Sequence, residues 1–267
     1  MKKNIWIVLT VVFTVLFAVS TFFIFSHFLQ EEKSQNLYDG LVAAVNETTA
    51  NEEPSELIQF SEEKTILAEY AALYQENEDM VGWITVPGTK INYPVVQTPE
   101  EPNYYLRRGF DGEYASCGCP YVQEDCDVNT PSDNLVIYGH NMRNGTMFGE
   151  LDKFERKEFW EDHKTLSFNT LTDEQEYEIV AVFKTFVYSD SPEAFKYYRF
   201  VNAENEEEFD AFIERCKELA LYDTGVDAAY GDKLITLSTC EYSRANGRLV
   251  VVAKRVSECN DLGAENP

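Results

Sequence analysis

The most extended feature of the hydrophobic pattern is a run at the N-terminus. Residues 5–29 contain no Asp, Glu, Lys or Arg; Lys2 and Lys3 precede the run, and Gln30, Glu31 and Glu32 follow it. As a helix, these 25 residues exceed the ~30 Å thickness of the hydrocarbon core. The flanking charges predict a single-pass anchor in the cell membrane, with the N-terminus in the cytoplasm and the rest of the chain outside. A cleaved signal peptide ending near Ser20 is the alternative, and it too leaves the domain outside.

Beyond the run, the pattern changes several times. Residues 30–55 are acidic and poor in large apolar residues, which indicates a flexible linker. A helical pattern starts at Glu56, with apolar positions spaced by three and four. Two more helices are predicted over residues 146–154 and 204–221. Strands are predicted over residues 83–86, 91–97, 134–138, 177–188, 234–239 and 249–256. This order favours a mainly β barrel or sandwich with inserted helices over alternating βαβ units.

The charge of the chain excludes some partners. The 47 acidic and 22 basic residues give a formal charge of −25. Phosphate backbones bind clustered Lys and Arg, so we expect no nucleic-acid partner. The same excess should keep the domain soluble and away from an anionic membrane surface.

Six cysteines are present, and three of them, Cys117, Cys119 and Cys126, lie within ten residues. The spacing fits poorly with the paired Cys-x2–4-Cys ligands of a structural zinc site. A disulfide from Cys126 to one of the other two is an alternative, and so are three free thiols. The large size of the chain argues against a domain held together by many disulfides.

Two residues at predicted strand ends can carry chemistry. His140 directly follows the apolar strand 134–138 and stands beside Gly139, which allows another group to approach closely. Cys240 ends the β-branched run 234–239. Each of these two residues could also be structural. The other histidine, His163, lies in a polar stretch and is expected to be an ordinary surface residue.

Arg248 makes Cys240 more than a lone thiol. A short polar loop joins Cys240 to the strand that begins at Arg248, and hairpin geometry would bring the two residues together. A guanidinium beside a Cys favours the thiolate and can donate to an oxyanion. His140 could then supply the proton that a leaving amine needs.

These motifs together resemble those of a known family. The segment 236–240 (TLSTC) followed by Arg248, and the segment 138–142 (YGHNM) followed by 146–148 (TMF), are similar to the active-site motifs of sortases. Residues 91–97 (INYPVVQ), residues 104–106 (YYL), a helix before the Cys-bearing strand and helical segments before Trp83 resemble class B sortases. These enzymes are cysteine transpeptidases of the Gram-positive cell surface. The resemblance extends from about Trp83 to Val256.

The resemblance implies an eight-stranded sortase barrel and a specific reaction. Cys240 would attack the carbonyl of Thr in a sorting motif and form a thioacyl-enzyme, His140 would act as general acid and base, and Arg248 would hold substrate and oxyanion. Leu106, Ser238, Thr239 and Glu241 would line the substrate groove. No metal or other cofactor is implied. Surface or pilin proteins with a C-terminal sorting motif would be the donors, and an amine of a peptidoglycan precursor or a pilin would be the acceptor.

Two positions depart from the family pattern. Pro102 stands where an Asn is usual, and Asn103 follows it; residues 116–122 (SCGCPYV) replace an apolar strand. The second departure predicts local remodelling.

The domain boundaries expected from these patterns are a cytoplasmic tip and membrane anchor at 1–29, an acidic linker at 30–55, a catalytic domain at 56–258 and a tail at 259–267. Two alternative functions use the same sequence features. One is a Cys-His peptidase or amidase that hydrolyses cell-wall peptides, and the other is a non-enzymatic, membrane-anchored binding module.

Overall fold

The computed structural model describes residues 2–51, 56–61, 64–187, 194–243 and 245–256. Ten strands and four α-helices are assigned within these ranges. The helices are α1 (Lys2–Asn51), α2 (Ala68–Glu76), α3 (Lys157–Asp162) and α4 (Glu206–Leu219). The strands are β1 (Leu57–Gln59), β2 (Thr65–Leu67), β3 (Met80–Thr85), β4 (Asn92–Val96), β5 (Tyr121–Val122), β6 (Asn134–Tyr138), β7 (Thr165–Thr170), β8 (Glu176–Phe186), β9 (Leu234–Glu241) and β10 (Gly247–Arg255). Short 3₁₀ segments span Tyr104–Arg107, Gly149–Glu155 and Tyr197–Arg199.

Eight strands form a closed barrel in the order β10–β8–β7–β3–β4–β5–β6–β9. Most neighbours are antiparallel, but β4 pairs with β5 and β6 pairs with β9 in parallel. The prediction of a mainly β, eight-stranded barrel with an inserted helix is confirmed. The parallel β6–β9 pair matters for function because it brings the C-terminal ends of these two strands to the same end of the barrel.

The strands β6 and β9 are buried along most of their length. Burial on both faces favours apolar and β-branched residues at consecutive positions, which explains why neither segment alternates strictly between apolar and polar residues. The buried hydroxyls of Thr236, Ser238 and Thr239 in β9 are all hydrogen-bonded. In contrast, β7 alternates between buried and half-buried positions. That alternation was present in the sequence, but the strand was not predicted.

The helix α4 agrees with its prediction to within two residues at each end. Asn205 caps its N-terminus, because the side-chain oxygen accepts a 3.1 Å hydrogen bond from the backbone N–H of Glu208. Glu206, Glu207 and Glu208 occupy the first turn, where the positive end of the helix dipole favours acids. Its apolar face, which includes the buried Phe209 and Cys216, packs on the barrel beside β8.

The prediction of a flexible linker over residues 30–55 is wrong for its described part. The helix α1 continues from the apolar run to Asn51 without a break. Tyr38 and Leu41 are buried, and Leu37 and Val45 pack against the core. Spacings of three and four residues place these side chains on one face, although the many acids around them hide the stripe.

The prediction of a helix starting at Glu56 is also wrong at its beginning. Residues 57–59 and 65–67 form a β-hairpin in which Ile58 pairs with Ile66. The helix α2 starts only at Ala68, and its buried residues include Tyr70 and Leu73. The extended chain here also continues into a distant contact, because Leu67 N donates a 2.7 Å hydrogen bond to the carbonyl of Leu171. A local periodicity does not show this contact, so it predicts a helix that starts too early.

The predicted membrane anchor lies in α1. Among the described residues, one helix is long and apolar enough to cross a bilayer by length and composition. Its large apolar side chains, such as Phe13, Phe17 and Phe22, are about two-thirds exposed or more. Side chains of this kind need an apolar environment that the barrel does not provide, so the helix is a candidate membrane anchor.

Candidate active site

Cys240 differs from the other described cysteines in its exposure. Cys117, Cys119, Cys126 and Cys216 are free thiols and buried, whereas Cys240 is free and partly exposed. Burial raises the pKa of each of the four buried thiols, in the case of Cys126 to about 12. A thiolate is the reactive form, and so Cys240 is the best placed nucleophile among the five. Cys259 lies outside the described residues.

The thiols at 117, 119 and 126 are neither bonded to each other nor arranged as ligands. No disulfide joins them. The described part of the chain holds no group of three or more His, Cys, Asp or Glu side chains that could bind a metal ion. Cys126 instead contacts β6, where its sulfur lies 3.5 Å from the carbonyl of Asn134. These three cysteines therefore pack as small apolar residues.

Arg248 lies directly opposite Cys240 in the β9–β10 pair. Opposite residues of an antiparallel pair have Cα atoms about 4.5–5.5 Å apart. Arg248 Nη1 donates a 2.9 Å hydrogen bond to the carbonyl of Gly247. The guanidinium is thus held at the Cys-bearing end of the barrel, as the hairpin geometry predicted.

His140 follows β6 at the same end. The parallel register pairs Tyr138 with Ser238, and Gly139 N donates a 3.2 Å hydrogen bond to Ser238 O, so His140 continues alongside Cys240. His140 Nε2 lies 2.8 Å from the carbonyl of Leu106. A carbonyl can only accept, so Nε2 carries the hydrogen of this bond.

The residues around His140 connect it to Cys240. Asn141 Nδ2 donates a 2.9 Å hydrogen bond to the carbonyl of Cys240, and Thr239 Oγ1 donates a 2.7 Å bond to the carbonyl of Gly139. A Cβ on Gly139 would lie 2.5 Å from the ring of Phe148, so glycine is needed for this close packing. The backbones that carry His140 and Cys240 are therefore cross-linked by hydrogen bonds at two points.

The segment 116–122, where the sequence departs from the family pattern, supports the carbonyl that His140 contacts. Gly118 has φ +63°, and a Cβ there would lie 2.7 Å from Tyr105 O and 2.8 Å from Leu106 O. Cys119 N donates a 3.1 Å hydrogen bond to Tyr105 O. The Cys-Gly-Cys segment thus packs tightly on the 3₁₀ turn that presents Leu106.

A groove of about 520 Å³ runs next to Arg248. Its lining includes Leu106, Tyr121, Tyr138 and Tyr198. Tyrosine rings offer apolar area together with a hydroxyl, which suits an extended peptide with both apolar and polar side chains. Arg248 lines this groove, and so does Leu106, whose carbonyl contacts His140, so the groove adjoins the three strand-end residues and is a candidate substrate groove.

The four predicted substrate residues occupy different environments. Leu106 is 39% exposed and lines the groove. Ser238 and Thr239 are buried, and their hydroxyls bond to Tyr197 Oη and to the carbonyl of Gly139. Glu241 Oε1 accepts a hydrogen bond from Ser243 N and lies 3.5 Å from Lys184 Nζ. The roles of these residues in substrate binding stay predictions.

The electrostatics of Glu241 follow from those partners. Burial would raise the pKa of its carboxyl, but the hydrogen bonds from Ser243 and the charge of Lys184 outweigh burial and hold the pKa below its usual value. Glu241 is therefore ionised, and Lys184 and Ser243 are its partners.

Tyr197 is a site residue that sequence reasoning missed. It is almost fully buried, and a 2.5 Å hydrogen bond joins its Oη to Ser238 Oγ. Burial raises the pKa of Tyr197 to about 12, although the bond to Ser238 and the charge of Arg248 act in the opposite direction. It lies in a 3₁₀ turn, and no local pattern relates that turn to β9, so the sequence carries no signal for it.

Asn103 and His163 both make defined side-chain contacts. Asn103 lies in the groove with φ 64°, and its side-chain oxygen accepts a 2.9 Å hydrogen bond from Tyr121 Oη. His163 is half-buried, and its ring stacks on Phe159 at 4.2 Å between centroids. His163 is a packing residue and not the fully exposed surface histidine that was predicted.

Comparison with known proteins relates this geometry to one family. A family model described as the sortase domain matches residues 84–256. Sortase B of Listeria monocytogenes serovar 1/2a is 31% identical over 193 residues, which cover 70% of this chain and 73% of that protein. Sortase B from Bacillus anthracis in complex with AAEK1 has a TM-score of 0.71 at 32% identity and covers 86% of this chain and 99% of its own. A Staphylococcus aureus sortase B–substrate complex has a TM-score of 0.73 at 25% identity, with coverage of 86% and 99%.

Proposed function

Because the chain belongs to the sortase family as a class B member, and is thus a cysteine transpeptidase, we propose that Cys240, His140 and Arg248 perform its chemistry. The proposal depends on one observation above all. The only partly exposed thiol among the five described cysteines faces an arginine across a strand pair. His140 follows the end of the parallel strand β6, and its neighbour Asn141 donates a hydrogen bond to the carbonyl of Cys240.

The first half-reaction acylates the enzyme. The thiolate of Cys240 adds to the carbonyl carbon of Thr in the sorting motif, and Arg248 donates hydrogen bonds to the resulting oxyanion. When the tetrahedral adduct collapses, the C–N bond breaks and His140 gives its proton to the leaving amine. The products are a thioester on Cys240 and the released C-terminal peptide.

The second half-reaction transfers the acyl group. A primary amine adds to the thioester carbonyl, His140 takes the proton from the attacking nitrogen, and the C–S bond breaks to restore Cys240. We propose that the donor is a protein with a C-terminal sorting motif and that the acceptor amine belongs to a peptidoglycan precursor or a pilin. An amine competes with water for the same thioester, so transfer and hydrolysis share the first half-reaction.

We also propose that α1 is an uncleaved anchor with the barrel on the outer side of the cell membrane. The apolar helix is a membrane-anchor candidate by length and composition. The charges before and after the run, Lys2 and Lys3 against Glu31 and Glu32, give the orientation.

The test uses the full chain in detergent with a panel of fluorogenic sorting-motif peptides. Triglycine serves as a small, unhindered amine. We expect a thioester on Cys240 in the intact mass, and a product that carries triglycine. Cys240→Ala should remove both, whereas the matched control Cys126→Ala, at a buried thiol, should keep both.

Two outcomes would contradict the proposal. Peptide cleavage that triglycine never diverts from hydrolysis would favour the peptidase alternative. A Cys240 that iodoacetamide leaves unlabelled in the folded protein would rule out a thiolate nucleophile.

A further inference from the structure

The helix α1 contacts the barrel from the first residue after its apolar run. Gln30 is the first residue after the apolar run, and its Nε2 donates a 3.1 Å hydrogen bond to the carbonyl of Tyr114. Glu31 Oε1 accepts a 2.7 Å hydrogen bond from Asn144 Nδ2. Contacts with the catalytic domain therefore begin where the apolar run ends.

Core packing then holds the helix in place. Tyr38 and Leu41 are buried, and Tyr38 Oη donates a 2.7 Å hydrogen bond to the carbonyl of Gly118. The rings of Tyr38 and Tyr93 meet edge to face at 5.4 Å between centroids. A helix anchored by buried aromatic contacts cannot swing as a flexible tether does.

The loop that contacts Glu31 is the loop that carries His140. Only four residues separate Asn144 from His140, a distance of at most about 14 Å even for an extended chain. Asn141, three residues from Asn144, donates a hydrogen bond to the carbonyl of Cys240. Two hydrogen bonds, two Asn side chains and three residue steps therefore place the thiol within at most roughly 30 Å of Glu31 along this path.

We propose that α1 is a rigid spacer that holds the His140 and Cys240 end of the barrel at the bilayer surface, where it acts on an acceptor amine attached to the membrane. This inference depends on the proposed function and on the proposed anchor. An acceptor whose amine projects only a short distance from the bilayer lies within reach of a site held at this height. The same amine would lie below a site carried on a long flexible tether.

Attraction between the barrel and lipid headgroups is not what sets this height. The charges near the membrane end of α1 are mixed, with Lys33 3.8 Å from Asp111 and the acids Glu31 and Glu32 next to it. Exposed Arg108 and Arg143 lie on the two neighbouring loops. The continuous helix α1 therefore determines the height of the barrel above the bilayer. Vesicles of uncharged lipid are sufficient to test this.

The experiment lengthens the spacer and leaves the domain untouched. The full chain is reconstituted in phosphatidylcholine vesicles, with twelve Gly and Ser residues inserted between Leu29 and Gln30. Every contact from Gln30 onward is retained. The matched control carries the same insertion between Met1 and Lys2. Three acceptors are compared: soluble triglycine, triglycine on a lipid through a short spacer, and triglycine on a lipid through a long polyethylene glycol spacer.

A flexible insertion of this length has a mean extension of about 19 Å, so it lets the site move away from the bilayer by that distance. We expect transfer to the short-spacer acceptor to fall about fivefold, because the effective concentration of the amine at the site falls. Transfer to soluble triglycine and to the long-spacer acceptor should stay within about twofold of the control.

Equal use of the short-spacer acceptor by the insertion variant and the control would overturn the proposal. If the unmodified protein transfers nothing even to soluble triglycine, the proposed function itself fails, and the inference fails with it. The soluble acceptor therefore separates the two failures.

Discussion

The hydrogen bond between Tyr197 and Ser238 offers a quantitative test of how the site is built. Both residues are 1% exposed, and their oxygens lie 2.5 Å apart. Replacing Tyr197 by Phe removes one partner and leaves the Ser238 hydroxyl buried without it. A buried polar group that loses its partner costs about 1–3 kcal/mol in the free energy of unfolding. Ser238→Ala leaves the phenol in the same position and should cost a similar amount.

The double variant distinguishes a real bond from two independent effects. Removing both partners leaves neither group unpaired, so the combined loss should be smaller than the sum of the single losses by about 1 kcal/mol or more. Thermal unfolding followed by near-ultraviolet circular dichroism measures this coupling. For a domain of this size, each 1 kcal/mol should lower Tm by roughly 2–4 °C.

Tyr198→Phe is the matched control, because Tyr198 is adjacent and only half-buried. It should change stability by less than about 0.5 kcal/mol. Losses that simply add in the double variant would refute the reasoning, and Ser238 would then be free to serve the substrate directly. The same variants, assayed well below their Tm, would also show whether Ser238→Ala raises KM as a substrate contact should.

Three further predictions concern charge and catalysis. Arg248→Lys should lower kcat roughly 100-fold, because a point charge cannot replace a fork of donors; turnover near wild type would remove Arg248 from the mechanism. His140→Ala should abolish turnover and leave the circular dichroism spectrum unchanged; a variant that merely unfolds would make His140 structural. Asp133 accepts a 2.8 Å hydrogen bond from Lys233 Nζ. Burial alone would raise the pKa of Asp133. The pKa is nevertheless below its usual value, because the carboxylate accepts hydrogen bonds from Lys233 and from Ala203 N–H and is attracted by the charge of Lys233. Its stabilisation is therefore present above the pKa of an unfolded Asp, about 4, and is lost below it. Asp133→Asn should cost roughly 1 kcal/mol at pH 7; in urea unfolding at stepped pH, a cost that persists unchanged at pH 2 would contradict this sign.

Much of the candidate site could be predicted from local sequence. Cys240, His140 and Arg248 stand at the ends of strands whose apolar runs are visible without any structure. Burial on both faces favours apolar and β-branched residues at consecutive positions of β6 and β9. The sequence therefore indicates both the strands and the polar residues at their ends. The short loop between Cys240 and Arg248 predicted that the two meet, because a hairpin brings its strand ends together.

The residues that contact and support the three strand-end residues could not be predicted in this way. Tyr197, Leu106 and Gly118 act on the site through contacts with residues far away in the chain. Gly118, for example, is required because the backbone of Tyr105 and Leu106 approaches it within 3 Å of where a Cβ would lie. A single sequence records that a glycine is present, but not which backbone it accommodates.

By itself, the sequence determined the elements whose cause is local: the apolar run of α1, the helix α4, the buried strands rich in apolar and β-branched residues, and the polar residues at their ends. Tertiary structure alone decided the two-residue strand β5, the parallel pairs that close the barrel, and the packing of α1 on its surface. Local elements follow from backbone propensity and from one periodic face, which any short window of residues displays. Pairing and docking depend on surfaces that become neighbours only when the chain closes on itself, and no window contains both partners.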